Sequence, residues 1–426
     1  MGDRKIETIC VQNGWEPSNG EARVLPIYQS TTFKYSSSEE MAALFDLQAS
    51  GFFYTRLANP TCDAVEKKIA ALEGGVAAVL TASGQSASMF SILNICSAGD
   101  HVVCSSELYG GTFNLFNKTM RGMGIEFDFI NPDAPIEEIN SLFKDNTKCV
   151  FTETISNPSL TVLDIEKWAN AAHSHNVPMI IDNTFATPVN CRPIEWGADI
   201  VVHSTSKYMD GHACSLGGCI VDSGKFDWRT EKFPQFNVPD ETYHGVVYTE
   251  QFGSAAYAVK CRVHLMRDIG AMMSPQNAFL LNLGLETLHL RMARHCENAL
   301  AVAEYLSSDD RIAWINCPSQ KGSKYYDIAG KYMPNGTCGV ISFGIKGTRE
   351  TATKFMDSLE LAAIVTHVAD ARTCVLHPAS TTHRQLNDAE LEACGVSPDL
   401  LRFSVGIENA GDIIEDIAQA LDKACE

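Results

Sequence analysis

Residues 203–208 (HSTSKY) place one lysine, Lys207, and two serines, Ser204 and Ser206, directly after the apolar run 200–202. A β-branched run that ends in small hydroxylated residues is typical of a buried parallel strand entering a loop. Ligands of open α/β sheets bind at the carboxyl ends of such strands. A lysine shielded from water there can lose its proton and form a Schiff base, whereas a lone lysine is more often exposed to solvent. The remaining sequence must show whether Lys207 is a reactive amine or an ordinary exposed lysine.

Residues 81–86 (TASGQS) form a second candidate site, where a strand gives way to an apolar helix. Gly84 lets the backbone approach a ligand closely, and the first N–H groups of the helix face the same point. Together with the positive end of the helix they make an anion site. The same pattern also occurs as an ordinary turn without function.

Two further side chains follow candidate strands. Asp182 ends the apolar run 179–182, where it is either a turn former or the partner of a buried cationic ring nitrogen. Tyr109, followed by two glycines, suits stacking on a planar ring, although a core or surface tyrosine fits equally well. Lysine, anion site, acid and aromatic ring together match one ligand, a phosphorylated pyridine aldehyde.

The composition limits the class of protein. At 426 residues the chain is long enough for about two or three lobes. Its 52 acidic and 33 basic residues give a net charge of −19, which argues against nucleic acid or an anionic membrane as a partner. No apolar run reaches transmembrane length and no signal peptide is evident. The 15 scattered cysteines predict reduced thiols in a cytoplasmic protein, and no metal site is expected.

The elements that must position these residues fall into three zones. Residues 1–60 carry few periodic patterns and predict an arm, residues 61–265 predict a large α/β domain, and residues 266–426 predict a smaller α+β domain. Helices capable of crossover connections separate most of the strands, so the large domain should contain a mostly parallel, doubly wound sheet of seven strands. The seven expected strands are 78–81, 102–105, 126–130, 149–152, 179–182, 199–203 and 218–221.

Helical signals support this division. Asn59 can cap a helix that starts at Pro60 and is stopped by Gly74 and Gly75. Long helices are expected over residues 275–304, strands over 339–344 and 401–406, and a final helix near 412–424.

The chain resembles the family of pyridoxal-phosphate enzymes that act on sulfur amino acids through Cγ, and most closely its O-acetylhomoserine sulfhydrylases. The resemblance extends over nearly the whole sequence and implies the fold type I architecture of aspartate-aminotransferase-like transferases. It is carried by the motifs at residues 54–61 (YTRLANPT), 108–112 (LYGGT), 153–158 (ETISNP), 182–184 (DNT) and 377–383 (HPASTTH).

The resemblance also implies roles for single residues. Lys207 would hold pyridoxal 5'-phosphate as a Schiff base and shuttle protons, Asp182 would keep the ring nitrogen protonated, and Tyr109 would stack on the ring. Lys207, Tyr109 and Tyr54 are the catalytic candidates. The phosphate is expected to bind the backbone of Gly84 and Gln85 and the hydroxyls of Ser204 and Ser206.

Other implied contacts join separate parts of the assembly. Tyr54 and Arg56 would reach the phosphate of a neighbouring subunit, which implies a homo-oligomer, expected to be a tetramer built as a dimer of dimers. Arg402, with Asn157 nearby, would bind the substrate carboxylate through its two-pronged guanidinium. His367 would lie close to that carboxylate.

The implied reaction is a γ-replacement in methionine biosynthesis. O-acetylhomoserine and sulfide, or methanethiol, would give homocysteine or methionine and acetate. Methionine γ-lyase and cystathionine γ-synthase or lyase activities remain alternatives. Gly111, which stands where the lyases carry cysteine, and the long segment 222–245 favour the sulfhydrylase. His367 and Ala369 depart from the family pattern and leave the leaving-group preference open.

Two unrelated classes fit less well. A nicotinamide dehydrogenase requires a Gly-x-Gly-x-x-Gly turn after its first strand, and residues 82–86 lack it. A non-catalytic binding protein on the same fold would be expected to lose Lys207 or Arg402, and both are present.

Overall fold

The computed structural model describes residues 4–381 and 396–425, which form two β-sheets surrounded by helices. The larger sheet has seven strands in the order β1-β7-β6-β5-β4-β2-β3, and the smaller has five in the order β10-β11-β12-β9-β8. The strands are β1 (Ala77–Thr81), β2 (His101–Ser105), β3 (Glu126–Ile130), β4 (Thr147–Glu153), β5 (Met179–Asp182), β6 (Ile200–His203), β7 (Gly218–Asp222), β8 (Ile312–Asn316), β9 (Val340–Ile345), β10 (Ala363–Ile364), β11 (Cys374–Leu376) and β12 (Leu401–Ser404).

The helices lie on both faces of the larger sheet and on one side of the smaller one. They are α1 (Ile6–Gln12), α2 (Ser38–Phe45), α3 (Pro60–Glu73), α4 (Gly84–Leu93), α5 (Gly110–Asn114), α6 (Ile136–Ser141), α7 (Ile165–Ser174), α8 (Thr187–Asn190), α9 (Tyr248–Gln251), α10 (Ala256–Lys260), α11 (Arg267–Ile269), α12 (Pro275–Glu286), α13 (Leu288–Ser307), α14 (Tyr326–Tyr332), α15 (Arg349–Ser358) and α16 (Ala410–Cys425). Two π-helical segments, Leu115–Met120 and Cys261–Met266, continue α5 and α10.

The prediction of a mostly parallel seven-stranded sheet is confirmed. Strands β6, β5, β4, β2 and β3 are parallel, whereas β7 runs antiparallel to both β1 and β6. Residues 204–217 between β6 and β7 contain Lys207 but no helix. Two adjacent parallel strands need a crossover connection between them, usually a helix. Because this loop has none, β7 runs antiparallel to β6, and the loop that carries Lys207 lies between the two strands.

The caps of α3 form as the sequence predicts. The side chain of Asn59 accepts a hydrogen bond from the backbone N–H of Thr61, and Pro60 occupies the first turn. Gly74 ends the helix in the left-handed conformation, at φ +79°, which a residue with a side chain rarely adopts. This helix packs beside β1, the strand at one edge of the larger sheet.

The helical pattern over 275–304 forms two helices, with a break at Thr287. Buried residues of α12 and the first turns of α13 belong to the core beside the larger sheet, and the later turns of α13 belong to the core of the smaller sheet. Helix α13 therefore joins the two lobes. The division at residues 265 and 266 stays a prediction.

The first zone is more structured than its sequence pattern indicates. It holds α1 and α2, and α1 packs against α3, α12 and α13 of its own chain. The long segment after β7 packs Trp228, Phe233 and Phe236 into the core on one face of the larger sheet. Within the described part of the chain, no helix combines the length and the apolar character needed to cross a bilayer.

Candidate active site

A cavity of about 410 Å³ opens at the carboxyl ends of the parallel strands, where residues after β1, β5 and β6 meet. Its position agrees with the general location of ligand sites in open α/β sheets. Nine of the twelve predicted site residues line it, namely Gly84, Gln85, Tyr109, Asn157, Asp182, Ser204, Ser206, Lys207 and His367.

The amino end of α4 forms a tight cradle on one wall of the cavity. Ser83 caps the helix, because its Oγ accepts a hydrogen bond from the backbone N–H of Ser86 at 3.1 Å. A Cβ atom added to Gly84 would lie 2.6 Å from Cβ of Ser204, so only glycine allows this approach. The side-chain Oε1 of Gln85 is buried and has no hydrogen-bond partner among the described residues. An anion held by backbone N–H groups fits this cradle.

The two predicted serines differ in how far their hydroxyl groups are already engaged. Ser206 Oγ accepts a hydrogen bond from Gly217 N–H at 2.9 Å and contacts the Gly217 carbonyl at 3.2 Å. The Ser204 backbone N–H donates to Thr184 Oγ1 at 2.9 Å, and its hydroxyl lies beside Gly84. Ser204 is thus the serine whose hydroxyl is available to a ligand, whereas Ser206 also closes the loop that carries Lys207.

Asp182 lies at the end of β5 with one oxygen engaged and one left to a ligand. Its Oδ1 accepts hydrogen bonds from the backbone N–H of Thr184 at 2.9 Å and from Thr184 Oγ1 at 2.5 Å. Its Oδ2 accepts none from residues 4–381 or 396–425. Burial raises the pKa of this carboxyl group, and a cationic ring nitrogen beside Oδ2 would lower it again. Thr184, to which the sequence pattern assigned no role, fixes the carboxylate.

Glu153, at the end of β4, is a second buried acid on the cavity wall. Its Oε1 accepts a hydrogen bond from the backbone N–H of Tyr109 at 2.6 Å. Burial and the neighbouring charge of Asp182 raise the pKa of Glu153 well above its usual range. The ring of Tyr109 is 49% exposed and stands at the cavity wall. Sequence reasoning missed Glu153, although the end of a strand adjacent to Asp182 was a usable signal.

Lys207 is partly buried, and its ammonium group is destabilised by its surroundings. Burial, followed by the charge of Arg402, lowers the pKa of Lys207 to about 8. Its Nζ lies 3.3 Å from Nδ1 of His367. Burial and the charge of Lys207 in turn lower the pKa of His367 to about 4, so the imidazole is neutral near pH 7. A lysine in this state is available as a nucleophile and base.

Arg402 approaches the cavity from β12 of the smaller sheet. It is 6% exposed, and its Nη1 donates to Asn157 Oδ1 at 3.3 Å while its Nη2 donates to the Thr366 carbonyl at 3.1 Å. Burial lowers its pKa to about 10, its Nε has no partner, and no carboxylate within 4–381 or 396–425 pairs with it. A buried guanidinium without an acidic partner suits a carboxylate ligand.

Tyr54 and Arg56 do not line the cavity of their own chain. They face a second cavity, of about 620 Å³, together with Tyr243 and Arg267. The Arg56 guanidinium lies 5.2 Å from the Tyr54 ring centroid, and its Nη1 donates to the Arg267 carbonyl. Thr382 and His383, the last two residues of the motif at 377–383, lie outside the described residues.

Comparison with known proteins places the chain in one family over nearly its full length. Residues 7–422 match the model of the Cys/Met metabolism PLP-dependent enzymes. The chain is 45% identical over 423 residues to homocysteine synthase of Schizosaccharomyces pombe, with 98% of each protein covered. It is also 45% identical over 427 residues to O-acetyl-L-homoserine sulfhydrylase of Leptospira meyeri, covering 98% of this chain and 96% of that protein.

A solved structure supports the same assignment. It is a Campylobacter jejuni protein described as an O-acetylhomoserine (thiol)-lyase with N'-pyridoxyl-lysine-5'-monophosphate. The TM-score is 0.95 at 34% sequence identity, and the match covers 98% of this chain and 100% of that chain. This chain is therefore a member of the family of Cys/Met metabolism PLP-dependent enzymes.

Proposed function

We propose that the chain replaces the γ-substituent of O-acetyl-L-homoserine with sulfide or a small thiol, giving homocysteine or methionine and acetate. The observation that carries this proposal is that Lys207, whose pKa is lowered to about 8, lines the cavity, while Arg402, a buried guanidinium without an acidic partner among the described residues, contacts Asn157 of the same cavity wall. An amino acid placed between them meets a base near its Cα and a cation at its carboxylate. The names of the relatives at 45% identity support the choice of substrate.

The residues of the cavity fit pyridoxal 5'-phosphate, on which this family depends. The cradle at Gly84 and the Ser204 hydroxyl suit its phosphate, the free Oδ2 of Asp182 suits its ring nitrogen, and the exposed face of Tyr109 suits its ring. When bound, the cofactor supplies an electron sink that makes the Cα–H bond of an amino acid acidic. Each of these assignments is part of the proposal.

The remaining chemistry belongs to the side chains of the protein. Arg402 and Asn157 hold the substrate carboxylate and thereby orient the Cα–H bond towards Lys207. Lys207 removes the Cα proton, and loss of a Cβ proton then allows the Cγ–O bond to break. Acetate leaves with the bonding electrons, and the Cγ–S bond forms when the sulfur nucleophile adds. Lys207 returns the protons at carbon, which requires that its amine alternate between neutral and charged forms near pH 8.

The γ-lyase alternative is disfavoured by the surroundings of Gly111. A Cβ atom added there would lie 2.5 Å from Cε1 of Tyr109 and 2.6 Å from Nε2 of Gln85. Any side chain at this position would therefore have to displace the aromatic ring that is proposed to cover the cofactor. Methionine γ-lyases, as the family resemblance indicates, carry a cysteine at the position of Gly111. In this chain a cysteine side chain at that position would collide with Tyr109 and Gln85.

The proposal extends to assembly and location. A partner subunit is proposed to receive Tyr54 and Arg56 at its phosphate site, because both side chains face away from the cavity of their own chain. A tetramer made of two such dimers is the proposed assembly. A cytoplasmic location is consistent with the free thiols, since none of the described cysteines forms a disulfide.

Product analysis tests this function directly. Purified protein is supplied with pyridoxal phosphate and O-acetylhomoserine, with and without sulfide, and the products are identified by mass spectrometry. We expect homocysteine and acetate in the presence of sulfide, and no turnover by the Lys207→Ala variant. Dominant formation of 2-oxobutyrate and ammonia with sulfide present would contradict the proposal and favour a lyase. Borohydride treatment should attach the cofactor to Lys207 in the parent protein only.

A further inference from the structure

The contact between Lys207 and His367 connects the two lobes of the chain. Nζ of Lys207 lies 3.3 Å from Nδ1 of His367, and this is the hydrogen bond that the lysine side chain makes within residues 4–381 and 396–425. His367 comes from the segment between β10 and β11, whereas Lys207 comes from the loop between β6 and β7. The amine therefore contacts a residue of the segment that leads into the smaller sheet.

The backbone of the His367 segment is tied to the strands beside it. The His367 carbonyl accepts a hydrogen bond from Cys374 Sγ at 3.3 Å and lies 3.5 Å from Nη2 of Arg402. Two residues on, the Ala369 N–H donates to Ser404 Oγ at 2.8 Å. These bonds tie the His367 segment to β11 and β12. The backbone that carries the imidazole is therefore held in place, while the ring nitrogen Nε2 is buried without a hydrogen-bond partner among the described residues.

Burial first, and then the charges around the pair, leave the imidazole neutral. Lys207 and Arg402 are cations that face it, while Asp370 on its own segment and Asp210 after Lys207 act in the opposite direction. Cys374 on β11 is the remaining titratable group that faces the lysine. The net result keeps His367 uncharged near neutral pH, so its Nδ1 has a lone pair to offer to the ammonium of Lys207.

We propose that His367 is a positioning residue which, as a neutral hydrogen-bond acceptor, holds the free amine of Lys207 on the side of the cavity that faces Arg402. This inference rests on the proposed function only for what the amine does there. Held in this way, the amine lies on the substrate side of the cavity whenever it is not joined to the cofactor. It can then take a proton from Cα and return it without searching other rotamers.

The test measures the amine itself and needs no turnover. Full-length protein is freed of cofactor with hydroxylamine, and acetylation of Lys207 by acetic anhydride is followed by mass spectrometry from pH 6 to pH 11. The exposed Lys67 serves as the internal reference for reagent strength. The parent protein should show a midpoint at a pH of about 8. His367→Leu keeps an apolar wall but removes the acceptor, and His367→Asn restores an acceptor near the position of Nδ1.

We expect the midpoint of His367→Leu to fall by about one pH unit, because a buried ammonium loses a hydrogen bond that the neutral amine does not need. His367→Asn should recover at least half of that shift. An unchanged or higher midpoint in His367→Leu overturns the inference, and so does a fall of equal size in both variants.

A second measurement covers the case in which a His367 variant does not fold. In histidine-labelled protein, NMR titration of His367 in the Lys207→Met variant should show its pKa rising above the value of about 4 in the parent, because the neighbouring cation is removed. No change in that titration would contradict the contact. Failure to capture the cofactor on Lys207 with borohydride would instead overturn the proposed function and leave these two measurements standing.

Discussion

Glu153 and Asp182 are register partners on neighbouring parallel strands, so a buried and a half-buried carboxyl group lie side by side at the carboxyl end of the sheet. Two like charges in such a place cannot both be maintained. Asp182 accepts two hydrogen bonds from Thr184, which favour its charged form, whereas burial and the charge of Asp182 raise the pKa of Glu153 well above its usual range. These surroundings favour the negative charge on Asp182 and the protonated form of Glu153.

A neutral Glu153 should be replaceable by glutamine. Glu153→Gln keeps an oxygen that can accept from the Tyr109 N–H, so we expect cofactor affinity and kcat within about threefold of the parent. Glu153→Ala leaves that N–H unpaired, which costs about 1–3 kcal/mol and should weaken cofactor binding by about tenfold or more. Titration of cofactor-free protein, followed by absorbance, measures both. Equal losses in the two variants would show that the charge of Glu153, and not its hydrogen bond, is what the site requires.

Asp182→Asn should retain the fold but lose most of the activity. The amide oxygen can still accept from Thr184, yet it offers no charge to a cationic ring nitrogen. We expect kcat to fall by about a hundredfold or more, as for the loss of one strong electrostatic contact in a catalytic site. Thr184→Ser, which keeps the hydroxyl, is the matched control and should retain activity. Full activity of Asp182→Asn would contradict the proposed role of the carboxylate.

Arg402→Lys tests whether the guanidinium is needed for its two-pronged geometry as well as for its charge. Lysine cannot offer parallel donors to a carboxylate and also lacks the reach to satisfy Asn157 and the Thr366 carbonyl. We expect KM for O-acetylhomoserine to rise by about tenfold or more, with kcat less affected and with unchanged cofactor content. If the variant instead loses cofactor and keeps KM, Arg402 supports the cofactor site and not the substrate.

The lowered pKa of Lys207 predicts a pH-dependent effect on stability in the cofactor-free protein. The pKa of this amine is about 8 in the folded state and about 10.4 in the unfolded chain. Below pH 8 the amine is therefore charged in both states, at a cost to the free energy of unfolding. That cost declines as the pH rises through 8 and disappears above the unfolded value.

Lys207→Met should therefore raise the thermal unfolding midpoint at pH 7, by about 2 °C for a chain of this size. The difference from the parent should shrink towards zero near pH 10.5. Parallel thermal scans at the two pH values, with Lys67→Met as the exposed control, make the comparison. A stabilisation that persists at high pH would indicate an effect of packing instead of charge.

The larger sheet was predictable because each of its strands is a short apolar run bounded by turn residues, and the observed strands match the expected ones within two residues at either end. The antiparallel direction of β7 was not predicted, because the hydrophobic pattern of a strand is the same whichever way the strand runs. The absence of a helical pattern in the loop around Lys207 was not used as a signal. Helix α3 was predictable down to its caps because Asn59, Pro60 and Gly74 act locally.

The site was predictable where one strand end carries one distinctive side chain. Lys207, Asp182 and the Gly84 turn follow single strands, and the structure brings them to one cavity. Glu153 belongs to a motif named from the sequence but was given no role, because its function depends on which side chain lies beside it on the adjacent strand. The contact of His367 with Lys207 depends on how the two lobes pack, and no local pattern encodes that. Likewise, the second cavity at Tyr54 and Arg56 depends on the packing of α2 and the segment around Tyr243.

The origin of the cavity walls in two lobes has a consequence for how such a chain diversifies. Apart from Tyr54 and Arg56, which are proposed to reach the phosphate site of a partner, the groups proposed to hold the cofactor come from residues 83–207, whereas Arg402, proposed to hold the substrate carboxylate, comes from the five-stranded lobe. We therefore expect substitutions of Arg402 to change which amino acid is accepted while the attachment of the cofactor is left intact. During evolution, a new substrate preference would therefore be expected to arise first from substitutions in the lobe that contains the smaller sheet.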